Sequence, residues 1–93
     1  MGYSTIDQNS DMNNFKETGF FGSLTGTSTA TFDHIPAGLT GGFILEVYRL
    51  PVANGNSMQT ITTFDGGAIY KRVFYAYNST WTPWLKYTGA SNG

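Results

Sequence analysis

The chain has 93 residues, with five Lys and Arg against six Asp and Glu and no Cys, which indicates one small domain without disulfides or thiolate metal sites. Charged residues form only 12% of the chain, so it has no basic surface large enough to neutralise nucleic-acid phosphates, and no apolar run long enough to insert in a membrane. The aromatic content of 16% and the twelve glycines instead favour β-strands joined by tight turns.

The polarity of the two ends suggests where the domain begins and ends. Residues 1–10 are polar and predict a linker segment, residues 11–88 predict the folded domain, and the small polar residues 89–93 predict a flexible tail. A domain of this size buries only about 60–65% of the surface that its unfolded chain exposes. Association with other copies is a common way to stabilise such a domain.

The first predicted elements are a helical turn and a strand. Asp11 is expected to cap a short turn that ends near Phe15, because its carboxylate can accept backbone N–H groups. A first strand is predicted over 19–24, and the Thr- and Ser-rich run 25–32 either extends it or pairs with it. Pro and Gly then mark 33–38 as a loop.

Four further strands are predicted in the second half of the chain. They cover residues 42–50, 57–64, 68–77 and 81–87. Asn- and Gly-containing turns separate them, and Pro83, which lacks an N–H, places the last one at an edge or at a bulge. The sequence therefore predicts an all-β fold: a mainly antiparallel meander forming a small β-sandwich-like knob, with one short N-terminal helical turn.

Four segments resemble, in the same order, the knob-type domains of phage and pyocin tail fibres. They are DMNNF with TGFF (11–15 and 18–21), IPAG with GFILEV (35–38 and 42–47), MQTITT (58–63), and IYKR with WTPWLK (69–72 and 81–86). The resemblance covers residues 11–87, although the run 23–32 matches no part of the pattern. It implies a tail-fibre or baseplate component, often trimeric, that contacts the host surface from the tail tip of a virion or an extracellular phage-tail-like particle.

Six side chains are candidates for binding a cell-surface glycan: Trp81, Trp84, Tyr70, Tyr75, Tyr77 and Arg72. Aromatic faces pack against the C–H groups of a sugar, and a guanidinium binds acidic or phosphorylated polymers through paired hydrogen bonds. Each candidate also has a structural interpretation. The rings can fill the core of a small sheet domain, and Arg72 can pair with Glu46 or stack on Trp84.

The sequence predicts no catalytic, cofactor or metal site. His34 is the only histidine, and its neighbour Asp33 does not complete a catalytic triad. A calcium-loop spacing begins at Asp7 but fails at Met12, where glycine is required, and at Thr18, where glutamate is required. The carboxylates do not suggest the pair that glycoside hydrolysis needs. The chain is therefore expected not to be an enzyme.

These patterns favour a tail-fibre domain that binds a host surface polysaccharide or wall polymer without cleaving it. Its expected partners are further copies of itself in a homotrimer and upstream fibre domains, with no nucleic acid and no membrane insertion. Two alternatives remain open. In the first, the domain serves only to cap or trimerise a fibre; in the second, it is an accessory carbohydrate-binding module of a cell-wall hydrolase.

Overall fold

The computed structural model describes residues 4–89, and most of its regular structure is β-strand. The strands are β1 Ser4–Thr5, β2 Gly19–Ser23, β3 Phe43–Arg49, β4 Ser57–Thr63, β5 Ala68–Tyr75, β6 Thr80–Trp81 and β7 Leu85–Thr88. Helical structure in this part of the chain is limited to the 3₁₀ turn Met12–Asn14 and to α1, Gly26–Thr29. The all-β prediction and the short N-terminal helical turn are confirmed.

All seven strands lie in one sheet. The strand order is β1-β2-β3-β4-β5, and β5 then pairs along its other side with both β6 and β7. β1 runs parallel to β2, whereas every other pairing is antiparallel. The run from β3 to β7 is therefore the predicted antiparallel meander.

The predicted strand 81–87 is divided in two. β6 ends at Trp81, β7 begins at Leu85, and both pair with the same side of β5. Pro83 has no N–H for the ladder, so the chain leaves the sheet around it. Thr82 holds this break in place, because its N–H donates to the carbonyl of Val73 and its hydroxyl accepts the Val73 N–H. The prediction of an edge or bulge at Pro83 is confirmed.

The prediction of strand structure over 25–32 is wrong, because this run contains α1. The Thr25 hydroxyl caps the helix by accepting the N–H of Ser28 at 3.2 Å. The Thr29 hydroxyl donates to the carbonyl of Gly41 at 2.7 Å. Ser and Thr side chains offer the backbone local hydrogen bonds that compete with a strand ladder, and here the local bonds prevail.

The sandwich-like part of the prediction also needs correction, since irregular segments rather than a second sheet cover the core. The 3₁₀ turn and the loop after α1 lie over one face of the sheet and are joined by the Met12 N–H to Asp33 carbonyl bond of 3.0 Å. Buried side chains from both layers form the core; they are Ile6, Met12, Phe32, Leu39, Phe43, Leu45, Val47, Ile61 and Tyr70. Pro, Gly and hydroxyl residues in the covering segments favour turns over a second ladder.

Residues 4–6, within the predicted linker segment, take part in this fold. Ser4 and Thr5 form β1, and Ile6 is buried in the core and donates its N–H to the carbonyl of Gly22 at 2.8 Å. Residues 1–3 of the predicted linker and 90–93 of the predicted tail lie outside the described residues.

Strand alternation gives the sheet two different faces. On β3 the side chains of Phe43, Leu45 and Val47 point into the core, while Ile44 and Tyr48 point away from it. β4 and β5 follow the same alternation. The face toward the irregular cover is called the covered face below, and the opposite one the open face.

Candidate functional site

Arg72 lies at the centre of a buried cluster on the covered face. Alternation along β5 turns its side chain inward, where it is only 6% exposed, and its Nε donates to Oε1 of Gln59 on β4 at 2.8 Å. The guanidinium carbon lies 3.8 Å from the centre of the Trp81 ring and 4.4 Å from the centre of the Trp84 ring. Both tryptophans thus make cation–π contacts with one cation.

Gln59 connects this cluster to the N-terminal cover. Its Nε2 donates to the carbonyl of Met12 at 2.7 Å and to that of Phe15 at 2.9 Å. The side chain is fully buried and makes no hydrogen bonds to water, and these two bonds compensate for that loss. Sequence reasoning did not identify Gln59 as a central residue. The signal for it was a polar amide at an inward position of an alternating strand.

The electrostatics of Arg72 reflect its burial. Loss of solvent lowers the pKa of Arg72 to about 10, and the negative charge of Asp11 opposes this change. The group therefore stays positively charged at neutral pH. Its Nη2 atom is buried and has no hydrogen-bond partner among residues 4–89.

Asp11 and His34 form a second polar pair at the edge of the cover. Asp11 caps the 3₁₀ turn as predicted, accepting the N–H of Asn13 at 2.8 Å, and the same oxygen lies 2.7 Å from Nδ1 of His34. Partial burial acts to raise the pKa of Asp11, but the Asn13 N–H and the hydrogen bond and charge of His34 outweigh it, so the pKa is lowered. His34 thus pairs with Asp11 rather than with Asp33 beside it.

The tryptophans and Tyr70 are also involved in packing. Trp84 donates its Nε1–H to the carbonyl of His34 at 2.9 Å, and the Trp81 ring lies 4.9 Å from the ring of Phe74. Tyr70 is 5% exposed and lies in the core. Arg72 stacks on Trp84, which was one of the two structural alternatives predicted for it. The predicted pairing with Glu46 is wrong, because Glu46 points to the open face.

Tyr75 and Tyr77 lie elsewhere, at the end of β5. Tyr77 is 80% exposed and Tyr75 is 38% exposed, and their ring centres are 6.1 Å apart in an edge-to-face arrangement. The following turn contains Ser79 with a φ of 56°, and Thr80 donates its hydroxyl to Oδ1 of Asn78 at 2.6 Å. Tyr75, Tyr77 and the turn 78–80 are called the tyrosine tip below.

The six sequence candidates therefore fall into two groups. Trp81, Trp84, Tyr70 and Arg72 belong to the covered side, whereas Tyr75 and Tyr77 form the exposed tip. Phe74 faces the core opposite Trp81, so the next residue, Tyr75, points to the other side of the sheet. The two groups do not share one binding surface.

In the part of the chain that the structure describes, no group of three or more His, Cys, Asp or Glu side chains is placed to hold a metal ion. Among the same residues, no helix is long and apolar enough to cross a bilayer.

Fold and contacts together define a small all-β domain with a buried Arg–Trp cluster and an exposed aromatic tip. The chain is similar to the C-terminal fragment of the P. aeruginosa R1 pyocin fibre, with a TM-score of 0.76 and 29% identity over 92% of this chain. It also shares its fold with an N-truncated R2-type pyocin tail fibre, with a TM-score of 0.79 and 20% identity over 92% of this chain. The resemblance to a phage or pyocin tail-fibre domain is confirmed.

The likeness concerns one part of those longer proteins. The chain spans 21% of the R1 fibre fragment and 32% of the R2 fragment. No family model and no curated protein sequence matches it.

Proposed function

We propose that this chain is a non-catalytic attachment domain of a tail fibre, and that it binds a host cell-surface polysaccharide or wall polymer through the tyrosine tip. The particle would be a phage tail or an extracellular phage-tail-like particle, with the domain repeated in a trimeric fibre and joined to upstream fibre domains. The observation that carries this proposal is the 80% exposure of Tyr77 beside Tyr75. The likeness to two pyocin fibres supports the setting.

The chemistry of the tip suits a sugar. The ring of Tyr77 offers an apolar face to pyranose C–H groups, and the Asn78 amide beside it offers hydrogen bonds to hydroxyls. The edge-to-face contact with Tyr75 and the Thr80–Asn78 hydrogen bond fix the tip before a ligand arrives. Such preorganisation lowers the entropic cost of binding.

Weak individual contacts are sufficient in this setting. A single shallow tip cannot enclose a ligand, so the affinity of one site is expected to be low. Several copies on one fibre, and several fibres on one particle, convert weak sites into strong attachment because later contacts form at high effective concentration.

The Arg–Trp cluster has a smaller part in this proposal. One face of each tryptophan ring already contacts Arg72, and the inward position of Arg72 removes it from polymers in solution. Trp81 and Trp84 remain partly exposed and can border the ligand without forming its main platform.

The proposal is tested by replacing Tyr77 with Ala and measuring binding to host cells and to an array of bacterial surface glycans. Loss of binding with an unchanged circular dichroism spectrum supports it. Leu24→Ala is the matched control, because Leu24 is 53% exposed at the opposite end of the sheet. Equal binding by the Tyr77 variant and the wild type would overturn the proposal, as would a wild type that binds no surface polymer.

A structural role in fibre assembly is the second candidate. It is favoured by the apolar character of the open face, where Ile44, Tyr48 and Met58 are 43–49% exposed. An antiparallel sheet with one solvated face ordinarily places polar residues there. The two functions use different surfaces of the domain and are compatible with each other.

A further inference from the structure

The open face is largely apolar, with the polar side chains Glu46, Thr60 and Lys71 side by side across its middle. Its apolar members come from five neighbouring strands and are Phe20, Ile44, Tyr48, Met58, Ile69, Val73, Leu85 and Tyr87. The other outward side chains of β3 to β5 are Glu46, Thr60, Thr62, Lys71 and, at the end of β5, Tyr75. Contiguous exposed patches of this kind mark interaction surfaces, unlike single exposed apolar residues.

The size of this face is sufficient for association. Five strands about 4.8 Å apart, which are four to eight residues long at roughly 3.3 Å per residue, give a projected area of roughly 500 Å². This lies near the upper end of the largest patches on monomers, about 300–600 Å². With bordering side chains added, it approaches the roughly 800 Å² that each partner contributes to a stable interface.

The two charges on the face are arranged so that copies can complement each other. Glu46 and Lys71 both pair in register with Thr60, so they lie in one row across the sheet with β4 between them. They form no ion pair with each other within residues 4–89. Rotation about an axis along the strands keeps each residue at its height, and therefore brings Glu46 of one copy level with Lys71 of the next.

The shape of the open face also fits a neighbouring copy related by this rotation. Phe20, Gly22, Ile44, Glu46 and Phe64 line a shallow apolar hollow of about 420 Å³ on the β2–β3 side of the face. On the opposite side, β7 carries Tyr87, which is 51% exposed and lies in the same cross-strand row as Ile44. The rotation that matches the charges also brings Tyr87 of one copy to the level of this hollow in the next.

We infer that the open face is the surface through which copies of this chain associate, related by a rotation axis along the strands. Glu46 pairs with Lys71 of the neighbouring copy, and Tyr87 occupies the neighbour's hollow. The inference rests on the proposed function only in taking the copies to belong to one fibre. It leaves Tyr77 and the turn 78–80, which lie beyond the end of β5, accessible to ligand.

Charge reversal tests this arrangement. The wild-type chain is expected to form dimers or trimers in sedimentation velocity and native mass spectrometry. Glu46→Lys places two cations on the face and Lys71→Glu two anions, so each variant alone should associate at least about tenfold more weakly. An equimolar mixture of the two should form mixed oligomers and partly recover association, exceeding either variant alone, because both contacts of a mixed dimer and two of the three contacts of a mixed trimer join opposite charges. Contacts within a single chain cannot produce that recovery.

Other variants complete the test. Tyr87→Ala should weaken association, while Leu24→Ala, at an exposed residue beyond the face, should leave it unchanged. Thermal unfolding of each variant at low concentration checks that folding is retained. The assembly measurement contains no glycan, so a failed attachment function does not alter its outcome.

Three results would overturn the inference. The first is a wild-type chain that stays monomeric up to several hundred micromolar. The second is a mixture of the two charge variants that associates no better than either alone. The third is loss of glycan binding in Tyr48→Ala with no change in oligomeric mass, which would assign the open face to ligand instead.

Discussion

Gln59 and Arg72 face each other across β4 and β5, and the Arg72 Nε donates to the Gln59 Oε1 at 2.8 Å. Through its other end Gln59 holds the carbonyls of Met12 and Phe15, so one buried amide joins the N-terminal cover to the sheet. Residues 4–89 form one sheet, and the second layer over it is irregular. Its stability is therefore expected to depend on a few such connections.

Replacing Gln59 with Leu is expected to lower the free energy of unfolding by about 2–4 kcal/mol. The variant leaves the Phe15 carbonyl and the Arg72 Nε without partners, while the Met12 carbonyl keeps its bond from the Phe15 N–H, and each unsatisfied group costs about 1–3 kcal/mol. Urea denaturation measures the change. Thr60→Ala is the matched control, because Thr60 is the next residue on β4 and points to the open face. A loss below about 1 kcal/mol for the Leu variant would show that the connection is weak.

Arg72→Lys is expected to destabilise the domain by about 1–3 kcal/mol although it keeps the charge. An ammonium lacks the planar group that contacts both tryptophan rings, and it does not reproduce the Nε bond to Gln59. Lys71→Arg, at the adjacent outward position, makes the comparable change on the open face and should have little effect on unfolding. If the two variants unfolded alike, the aromatic contacts of Arg72 would have no specific role.

The lowered pKa of Asp11 predicts that the free energy of unfolding decreases at acid pH. Its pKa in the folded chain lies below the ordinary value of 3.8, so folding favours the deprotonated carboxylate. Its stabilising contribution is complete above about pH 5 and is lost as the pH falls through the folded-state pKa, where the carboxylate becomes protonated in the native state as well.

Asp11→Asn should therefore flatten the decline of the unfolding free energy below about pH 5. Asn can still cap the turn, so the variant isolates the charge and its contact with His34. Asp7→Asn is the control, because it removes the same charge from an exposed side chain of the same segment. Identical pH profiles for the wild type and the Asp11 variant would contradict the prediction.

The sequence predicted the sheet better than its cover. β3 was predictable because eight mainly apolar residues lie between Gly42 and Pro51, and the break in the last strand was predictable because Pro83 cannot donate to the ladder. α1 was missed because a Thr- and Ser-rich run has no apolar period, and only the hydroxyl contacts of Thr25 and Thr29 select a helical turn.

The candidate site was only partly predictable for a related reason. Composition identified Trp81, Arg72 and Tyr77 as unusual, but their environments depend on which face of the sheet the cover occupies. That choice depends on long-range contacts, such as that between Asp11 and His34, which are 23 residues apart in sequence. No local pattern encodes such a pairing. Burial of Arg72 and exposure of Tyr77 therefore became clear only from the folded chain.

Variants of Trp81 and Tyr77 distinguish most clearly between residues that stabilise the fold and residues that bind the host surface. Trp81→Ala removes contacts with Arg72 at 3.8 Å and with the Phe74 ring at 4.9 Å, and is expected to lower the unfolding free energy by about 2–4 kcal/mol. Tyr77→Ala removes a side chain that is 80% exposed, so it should change stability by less than about 0.5 kcal/mol while abolishing attachment to host cells. Both variants are compared by urea denaturation and by cell binding at a temperature where each is folded. If the Trp81 variant lost attachment there while Tyr77→Ala kept it, the glycan would have to be assigned to the covered side of the sheet.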